Sequence, residues 1–412
     1  MWTDMNNHSP IDRCPITDSP TRIKYFDLGN IPLVNNLCNT RQESLDAERF
    51  PLALNYYIAS GLTSLDFAVD GNLLFSHYLY KSGVNKPYIE HCRDMFRFIQ
   101  NYLPINDGTK FIDIGGNDGT LLETFKSTTD KKIDVLNIDP SKNLTEISVE
   151  RGVPVLNEFF SVDSIRPYEG TVDVITSTNV FQHLKDIDSF VKAVEIALSD
   201  NGIWVLEFPY WLHSMLTKQF DQVYHEHMYY HTVSPLNMLM SKNGLRIVNV
   251  TEQNIHGGSL RLVIAKEKST YETNNSVRSF IDKESRYDLE FYKGWGDSIQ
   301  LYIEQSKQYL RELKASGKKI YGFGAAAKGC IYLNAMNADY NLIDVVIDDT
   351  DLKQGKFIPG TGIEVVGREI LQTNPPDYII ILPHNFKNYI VESLAETYSG
   401  KFIVFLPEIK IL

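Results

Sequence analysis

Cysteine is scarce in this sequence, and the few cysteines are not paired. Cys14, Cys38, Cys92 and Cys330 are scattered over 412 residues, so their spacing shows neither a disulfide framework nor a complete tetrahedral metal site. Such usage is typical of a reducing compartment, and we expect a cytoplasmic protein. The N-terminal residues lack the basic stretch and apolar core of a secretory signal, and no apolar run approaches the roughly 18 residues that a membrane span needs. We therefore expect no membrane partner.

Positive charge is also in short supply. The chain has 40 Lys and Arg against 52 Asp and Glu, a formal net charge of −12, and no dense basic cluster. A nucleic-acid partner is therefore not expected, because proteins that neutralise phosphates usually carry a basic face. The apolar fraction of 43% is typical of a globular protein, and the length favours two or three domains. We expect a small-molecule substrate and a monomer or weak homo-oligomer.

Short β-rich runs alternate with helical stretches in two parts of the chain. This alternation predicts an α/β fold, because a parallel sheet needs helices on both faces. Eight runs read as strands: 110–114, 133–138, 172–176, 202–208, 319–323, 342–347, 378–382 and 402–406. We predict a small irregular N-terminal module over 1–70, a central Rossmann-like domain over 71–270 and a C-terminal Rossmann-like α/β domain over 271–412.

A glycine loop, Asp113 to Gly119, joins the first strand of the central domain to a helix. Its glycines let the backbone turn sharply and approach a ligand, and ligands bind at the carboxyl ends of such strands. The loop lacks the Gly-x-Gly-x-x-Gly spacing of a dinucleotide site. Its acids Asp113 and Asp118 would repel a pyrophosphate, so a cationic sulfonium suits the loop better. Asp139, at the end of the next strand, can accept hydrogen bonds from a ribose diol.

A segment rich in histidine and tyrosine follows the fourth strand. Residues 224–231 contain three His, three Tyr and one Glu. The spacing excludes the His-Glu-x-x-His metalloprotease motif, because position 229 is Tyr. Methyl transfer to an acidic carbon needs a base, and His has a suitable pKa. A neighbouring carboxylate can orient that His and a Tyr hydroxyl can stabilise an enolate; packing of the rings in the core is the alternative.

A second glycine loop, Gly322 to Gly329, opens the C-terminal domain. It satisfies Gly-x-Gly-x-x-Ala, and the next strand ends in Asp348-Asp349, where a ribose-binding acid would stand. Alone, this pattern favours a nicotinamide-dependent oxidoreductase. Lys328 at the helix start could equally hold a diphosphate, and a tight strand–helix turn with no ligand is the third possibility.

Taken together, the motifs resemble the nucleotide-sugar C-methyltransferases of deoxysugar biosynthesis over nearly the whole chain. The resemblance is carried by eight strings in one order: Asn117-Asp-Gly-Thr-Leu-Leu122, Ile138-Asp-Pro140, Asn179-Val-Phe-Gln-His183, Glu207-Phe-Pro-Tyr210, Tyr224-His-Glu-His227, His256-Gly-Gly-Ser-Leu-Arg261, Gly322-Phe-Gly-Ala-Ala-Ala-Lys328 and Lys353-Gln-Gly355 with Pro359-Gly-Thr361.

The resemblance implies an S-adenosylmethionine-dependent enzyme that methylates a carbon beside a 4-keto group, typically C3. His227 would be the base, supported by Glu226 and Tyr224, with His183 beside the hexose. The cofactor would lie against nine residues: Asp113, Gly115, Gly116, Asn117, Asp118, Gly119, Asp139, Pro140 and Asn179. The substrate would meet five others: Tyr78, Tyr80, His225, Arg261 and Lys328. The second glycine loop would then not bind NAD.

One departure from the family is plain. Its N-terminal module holds zinc with two Cys-x-x-Cys pairs, which here read Cys14-Pro-Ile-Thr17 and Tyr57-Ile-Ala-Ser60. One thiol of four is too few for a tetrahedral structural site, so we predict no zinc. Two further alternatives stay open: methylation of a sugar oxygen or nitrogen, and a non-catalytic protein that binds a sugar nucleotide.

Overall fold

The computed structural model describes residues 8–70, 73–74, 86–255 and 257–412, and an antiparallel sheet dominates its N-terminal part. In chain order this part contains β1 (His8–Pro10), β2 (Arg22–Pro32), α1 (Arg41–Leu45), β3 (Arg49–Tyr57), β4 (Thr63–Leu65) and β5 (Phe67–Val69). Strands β2, β3 and β4 pair in that order, and β1 pairs with β5. The segment is more regular than the sequence predicts, because irregularities in the β2–β3 register at Lys24/Phe26 and Asp27/Asn30 interrupt the alternation that marks a strand.

A seven-stranded sheet forms the middle of the chain. Its described helices are α2 (Lys86–Ile99), α3 (Thr120–Thr128), α4 (Lys142–Glu150), α5 (Val162–Ile165), α6 (Ile187–Ala197), α7 (Trp211–Leu216) and α8 (Val233–Lys242). The strands of this stretch are β6 (Lys110–Ile114), β7 (Asp134–Ile138), β8 (Val155–Leu156), β9 (Val172–Thr178), β10 (Leu198–Pro209), β11 (Tyr229–Tyr230), β12 (Leu245–Gln253) and β13 (Ser259–Lys266). The sheet order is β12-β13-β10-β9-β6-β7-β8, with β13 antiparallel to both neighbours and the strands from β10 to β8 parallel.

Helix α2 covers one face of this sheet. Its buried side chains, Cys92, Met95, Phe96 and Ile99, recur at three- and four-residue spacing, the period of one helical face. They pack with Phe111, on β6, in one apolar cluster. The face carries polar groups only toward the carboxyl ends of the strands, where the glycine loop lies.

The C-terminal part is a second α/β unit. Its elements are α9 (Asn275–Glu284), α10 (Leu289–Ala315), β14 (Ile320–Phe323), α11 (Ala327–Ala335), β15 (Val345–Ile347), β16 (Glu364–Val366), α12 (Ile370–Thr373), β17 (Tyr378–Ile381), α13 (Lys387–Leu394), β18 (Lys401–Val404) and β19 (Lys410–Ile411). The sheet order is β16-β15-β14-β17-β18-β19. Strand order therefore reverses between β14 and β17, and a crevice for a ligand forms outside the carboxyl ends at such a point.

Contacts join the three parts of the chain. Strand β11 extends the N-terminal sheet by pairing with β4. Trp211 Nε1 donates to Tyr25 Oη at 3.0 Å, and Ser44 Oγ donates to the Ile358 carbonyl at 2.5 Å. The α/β class with two Rossmann-like sheets is confirmed, whereas the domain boundaries at residues 70 and 270 stay predictions. No helix within the described ranges combines the length and apolar character needed to cross a membrane.

Candidate active site

The loop after β6 contains three left-handed positions. Gly115, Asn117 and Gly119 have φ values of 66°, 55° and 75°, which glycine adopts freely and asparagine tolerates. The Gly115 N–H donates to the Ile138 carbonyl at 2.8 Å, so the loop is tied to the carboxyl end of β7. The backbone is thus folded into a cradle between two parallel strands.

Gly116 is a glycine for a different reason, namely space. A Cβ at this position would lie 2.5 Å from Asn137 Oδ1 and 2.6 Å from Asp113 Oδ2, distances that real Cβ atoms do not adopt. Any larger residue would displace the polar groups beneath the loop. The short loop therefore depends on glycine at both its turns and its point of closest packing.

Two buried carboxyl groups lie beside this loop. Burial raises the pKa of Asp113 to about 7, with the Thr176 hydroxyl bond at 2.7 Å opposing the shift and the charge of Asp139 adding to it. Burial also raises the pKa of Asp139. Two adjacent carboxyl groups that resist ionisation favour a ligand carrying positive charge, which would stabilise both carboxylates.

Asp139 has acceptor capacity left for a ligand. Its Oδ2 accepts the Asn117 N–H at 2.9 Å and its Oδ1 accepts the Ser141 N–H at 2.8 Å. An ionised carboxylate offers about four lone-pair sites, so about two remain. The cradle and these acids fit a cofactor with a ribose diol and a cationic sulfur.

The other predicted cofactor residues lie around the same edge of the sheet. Asn179, at φ 56°, directly follows β9, and Pro140 follows Asp139. Asp118 points into a different network, since its Oδ1 accepts the Thr120 hydroxyl at 2.7 Å and its Oδ2 lies 3.4 Å from Arg151 Nη2. The side chain of Asp118 thus stabilises the start of α3.

His227 is held in one tautomer. Its Nδ1 lies 3.0 Å from the Gln222 carbonyl oxygen, which can only accept, so Nδ1 carries the proton and Nε2 keeps its lone pair. Burial holds the pKa of His227 well below 6.5, and the charges of His183 and Lys328 lower it further. The imidazole is therefore a neutral acceptor at neutral pH.

The predicted partners of His227 differ in what they contact. The ring of Tyr224 lies 4.0 Å from the ring of His227, and that of His183 lies 4.9 Å from it, both measured between centroids. Glu226 turns the other way, and its Oε1 accepts a hydrogen bond from Asn35 Nδ2 at 2.5 Å. Burial raises the pKa of Glu226 to about 7. The sequence offered no signal for Asn35, which lies 191 positions away from Glu226.

The remaining histidines of the segment serve packing. His225 is buried beside Phe50, whose carbonyl oxygen lies 3.3 Å from its Nε2. His231 packs between Phe181 and Phe208, and neither of its ring nitrogens has a partner among the described residues. The predicted substrate residues Tyr78 and Tyr80 lie outside the described residues.

Arg261 forms a buried charge cluster that motif reading did not assemble. Its Nε donates to Glu207 Oε1 at 2.5 Å, and its Nη1 lies 3.3 Å from Asp94 Oδ2. His91 Nε2 lies 2.7 Å from the other Glu207 oxygen. Burial works against the charge of Glu207, but His91 and Arg261 hold its pKa below the ordinary value. Only Glu207 and Arg261 stood in recognisable strings.

A second cluster joins the base to the C-terminal unit. Asp221 is buried next to Gln222, and its Oδ2 lies 3.4 Å from His384 Nδ1. Burial opposes ionisation of Asp221, yet His384 and Lys328 hold its pKa below the ordinary value. Burial in turn lowers the pKa of Lys328. The predicted substrate residue Lys328 thus lies within the electrostatic reach of both Asp221 and His227.

The acid that an NAD site would use in the second glycine loop is already engaged. Asp348 Oδ2 accepts from the Ala325 N–H at 2.8 Å and from Lys353 Nζ at 3.0 Å, and its Oδ1 accepts from the Thr350 N–H at 2.9 Å. A Cβ at Gly329 would lie 2.7 Å from Leu382 Cβ. These contacts favour a tight strand–helix turn over a dinucleotide site.

Comparison with known proteins agrees with this geometry. Residues 254–407 match the family model of the C-methyltransferase C-terminal domain, and residues 88–250 match that of a methyltransferase domain. C-methyltransferase NovU of Streptomyces niveus is 27% identical over 411 residues, which cover 98% of this chain and 97% of that protein. No match to a nicotinamide-dependent enzyme is needed to account for either glycine loop.

Among solved structures, an S-adenosylmethionine-dependent methyltransferase from Aquifex aeolicus is 15% identical, with a TM-score of 0.35, and the match covers 44% of this chain and 94% of that one. The CurJ carbon methyltransferase is 12% identical, with a TM-score of 0.34, over 44% of this chain and 56% of that one.

Replacing Gly116 by alanine tests the cradle. In Gly116→Ala the new methyl group would force Asn137 or Asp113 to move, so we expect S-adenosylhomocysteine to bind at least about tenfold more weakly, or about 1.4 kcal/mol. Isothermal titration calorimetry measures this. The control is Gly294→Ala, an exposed position in α10 with no atom within 4 Å of the new Cβ. A folded Gly116→Ala protein with unchanged affinity would contradict the assignment.

Proposed function

This chain belongs to the S-adenosylmethionine-dependent C-methyltransferases, and on that premise we propose that its acceptor is a nucleotide-linked 4-keto deoxysugar, methylated at the carbon beside the keto group, C3 in the expected case. The observation that carries the proposal is His227, a buried imidazole kept neutral and fixed in the tautomer that a general base requires. We propose the cytoplasm as its location, in keeping with four free thiols.

The base must take a proton from a carbon acid. With Nδ1–H donated to the Gln222 carbonyl, Nε2 is the only nitrogen of His227 that can accept that proton. The resulting imidazolium is costly in a buried site, and a substrate enolate beside it offsets this cost by pairing the charges. The low pKa of His227 thus suits a base that is charged only while the enolate exists.

The enolate oxygen needs stabilisation of its own. Lys328, whose charge acts on His227, and the phenol of Tyr224, whose ring stacks on His227, are the two groups that we assign to this oxygen. When bound, S-adenosylmethionine supplies a methyl group on a positively charged sulfur. Asp113 and Asp139 favour that positive charge, and Asp139 holds the ribose.

Two rivals require no such base. Methylation of a sugar oxygen or nitrogen needs no carbon acid, and a non-catalytic binding protein needs no fixed tautomer. Neither accounts for a buried histidine with its Nδ1–H fixed by a backbone carbonyl. We propose the carbon chemistry for this reason.

Removing the base tests the proposed reaction. In His227→Asn the side chain can still donate to Gln222 but has no basic nitrogen, so we expect turnover to fall by about 10²- to 10⁴-fold with cofactor affinity unchanged. The assay is NMR of the product formed with a ¹³C-labelled methyl donor, in which wild type should place the label on carbon.

The matched control is His231→Phe, a buried histidine of the same segment without polar partners among the described residues, which should keep near-normal turnover. A label on oxygen or nitrogen, or an active His227→Asn protein, would contradict the proposal.

We also propose that the N-terminal module needs no zinc. Cys14 Sγ lies 3.2 Å from Ser60 Oγ, so two of the four positions that resemble zinc ligands meet as a thiol and a hydroxyl. The third, Tyr57, donates its phenol to the Ile11 carbonyl at 3.0 Å. Hydrogen bonding and packing supply the contacts that a metal would otherwise provide.

Chelation tests this proposal. We expect no stoichiometric zinc by elemental mass spectrometry of the purified protein, and a thermal unfolding midpoint that EDTA leaves unchanged, because Cys14 is the only thiol of the four positions. One zinc per chain, or a midpoint lowered by EDTA, would overturn it.

A further inference from the structure

A cavity of about 390 Å³ lies between the middle and C-terminal sheets. The middle part of the chain lines it with His91, His213 and Asn254, and the C-terminal part lines it with His384 and Lys387. No Asp or Glu is among the described residues that line it. Three imidazoles and an ammonium without an acid are unusual in a chain of net charge −12, and they favour an anionic ligand.

Two of the imidazoles are oriented from behind by buried carboxylates. Glu207 Oε2 lies 2.7 Å from His91 Nε2, and Asp221 Oδ2 lies 3.4 Å from His384 Nδ1. In each ring the second nitrogen is not used by the carboxylate. A carboxylate that orients a histidine in this way fixes which nitrogen a ligand can meet.

Lys387 supplies an uncommitted charge. Its ammonium makes no hydrogen bond or ion pair with any residue that the structure describes, although most lysines near an acid do so. Lys387 begins α13, directly after the turn that follows β17. The cavity thus lies at the carboxyl edge of β17, beside the point where strand order reverses in the C-terminal sheet.

The cavity is also adjacent to the catalytic base. His384, in its wall, contacts Asp221, and the next residue, Gln222, holds the Nδ1–H of His227. A ligand anchored in the cavity would therefore reach the base with its remaining part. The acids of the cofactor loop, Asp113 and Asp139, lie at the ends of β6 and β7 and do not line the cavity.

We propose that this cavity binds the diphosphate of the sugar nucleotide, with Lys387, His213 and His384 as its donors. The inference rests on the proposed function and assigns the site that anchors its substrate. A phosphate-type anion is preferred over the carboxylate of the cofactor because the cavity is built from both α/β units and is separate from the cofactor cradle.

Calorimetric titration of the full chain with inorganic pyrophosphate tests the assignment. Lys387→Met removes the charge and keeps the aliphatic stem, and we expect it to weaken pyrophosphate binding about tenfold. His213→Gln should weaken binding in the same direction. The matched control is Lys401→Met, the same change at an exposed position outside the cavity, which should bind like wild type.

Each variant is also titrated with S-adenosylhomocysteine, for which unchanged affinity is expected. Wild-type pyrophosphate affinity in both cavity variants would overturn the inference. So would a loss of S-adenosylhomocysteine affinity with pyrophosphate binding unchanged, since the cavity would then serve the cofactor. Failure of the proposed function is distinguishable, because it would appear as absent carbon methylation while pyrophosphate still bound in a Lys387-dependent manner.

Discussion

The hydrogen bond from His227 Nδ1 to the Gln222 carbonyl is the contact on which the proposed chemistry depends. It decides which ring nitrogen carries a proton and therefore which one can accept another. A carbonyl can enforce this only if its own position is fixed. The neighbouring residues do this, since Asp221 is anchored by His384 from the C-terminal unit.

The base is thus positioned by all three parts of the chain. Asn35 of the N-terminal part holds Glu226, strand β11 just beyond the base pairs with β4, and His384 contacts Asp221. A segment of so few residues has little core of its own. Its geometry is therefore supplied by elements far away in sequence, which explains why a methyl transfer enzyme of this kind needs more than its cofactor-binding sheet.

Charge separates the two ligands. Asp113 and Asp139 lie buried beside the glycine loop and favour a cation, whereas the cavity at His213, His384 and Lys387 has no acid among its described lining residues. The two regions lie on opposite sides of His227 in chemical terms, one suited to a sulfonium and the other to phosphate. Such a division helps to orient donor and acceptor toward each other.

The sequence predicted the strands that carry the cofactor loop because periodicity and glycine spacing are local properties. It also identified Asp139 and His227, which stand in distinctive strings. It could not predict that Glu226 contacts Asn35, or that His91, Glu207 and Arg261 form one cluster, because these contacts join distant positions. The regular N-terminal sheet was missed for a local reason, since irregular register hid its alternation.

The central claim is that His227 removes a proton from carbon, and hydrogen exchange tests it most directly. The protein is incubated in D₂O with a nucleotide-linked 4-keto deoxysugar and S-adenosylhomocysteine, which has no methyl group to transfer. The account predicts deuterium at the carbon beside the keto group, and none above background with His227→Asn. Equal exchange in both proteins, or no exchange in a wild-type protein that methylates the same sugar, would contradict it.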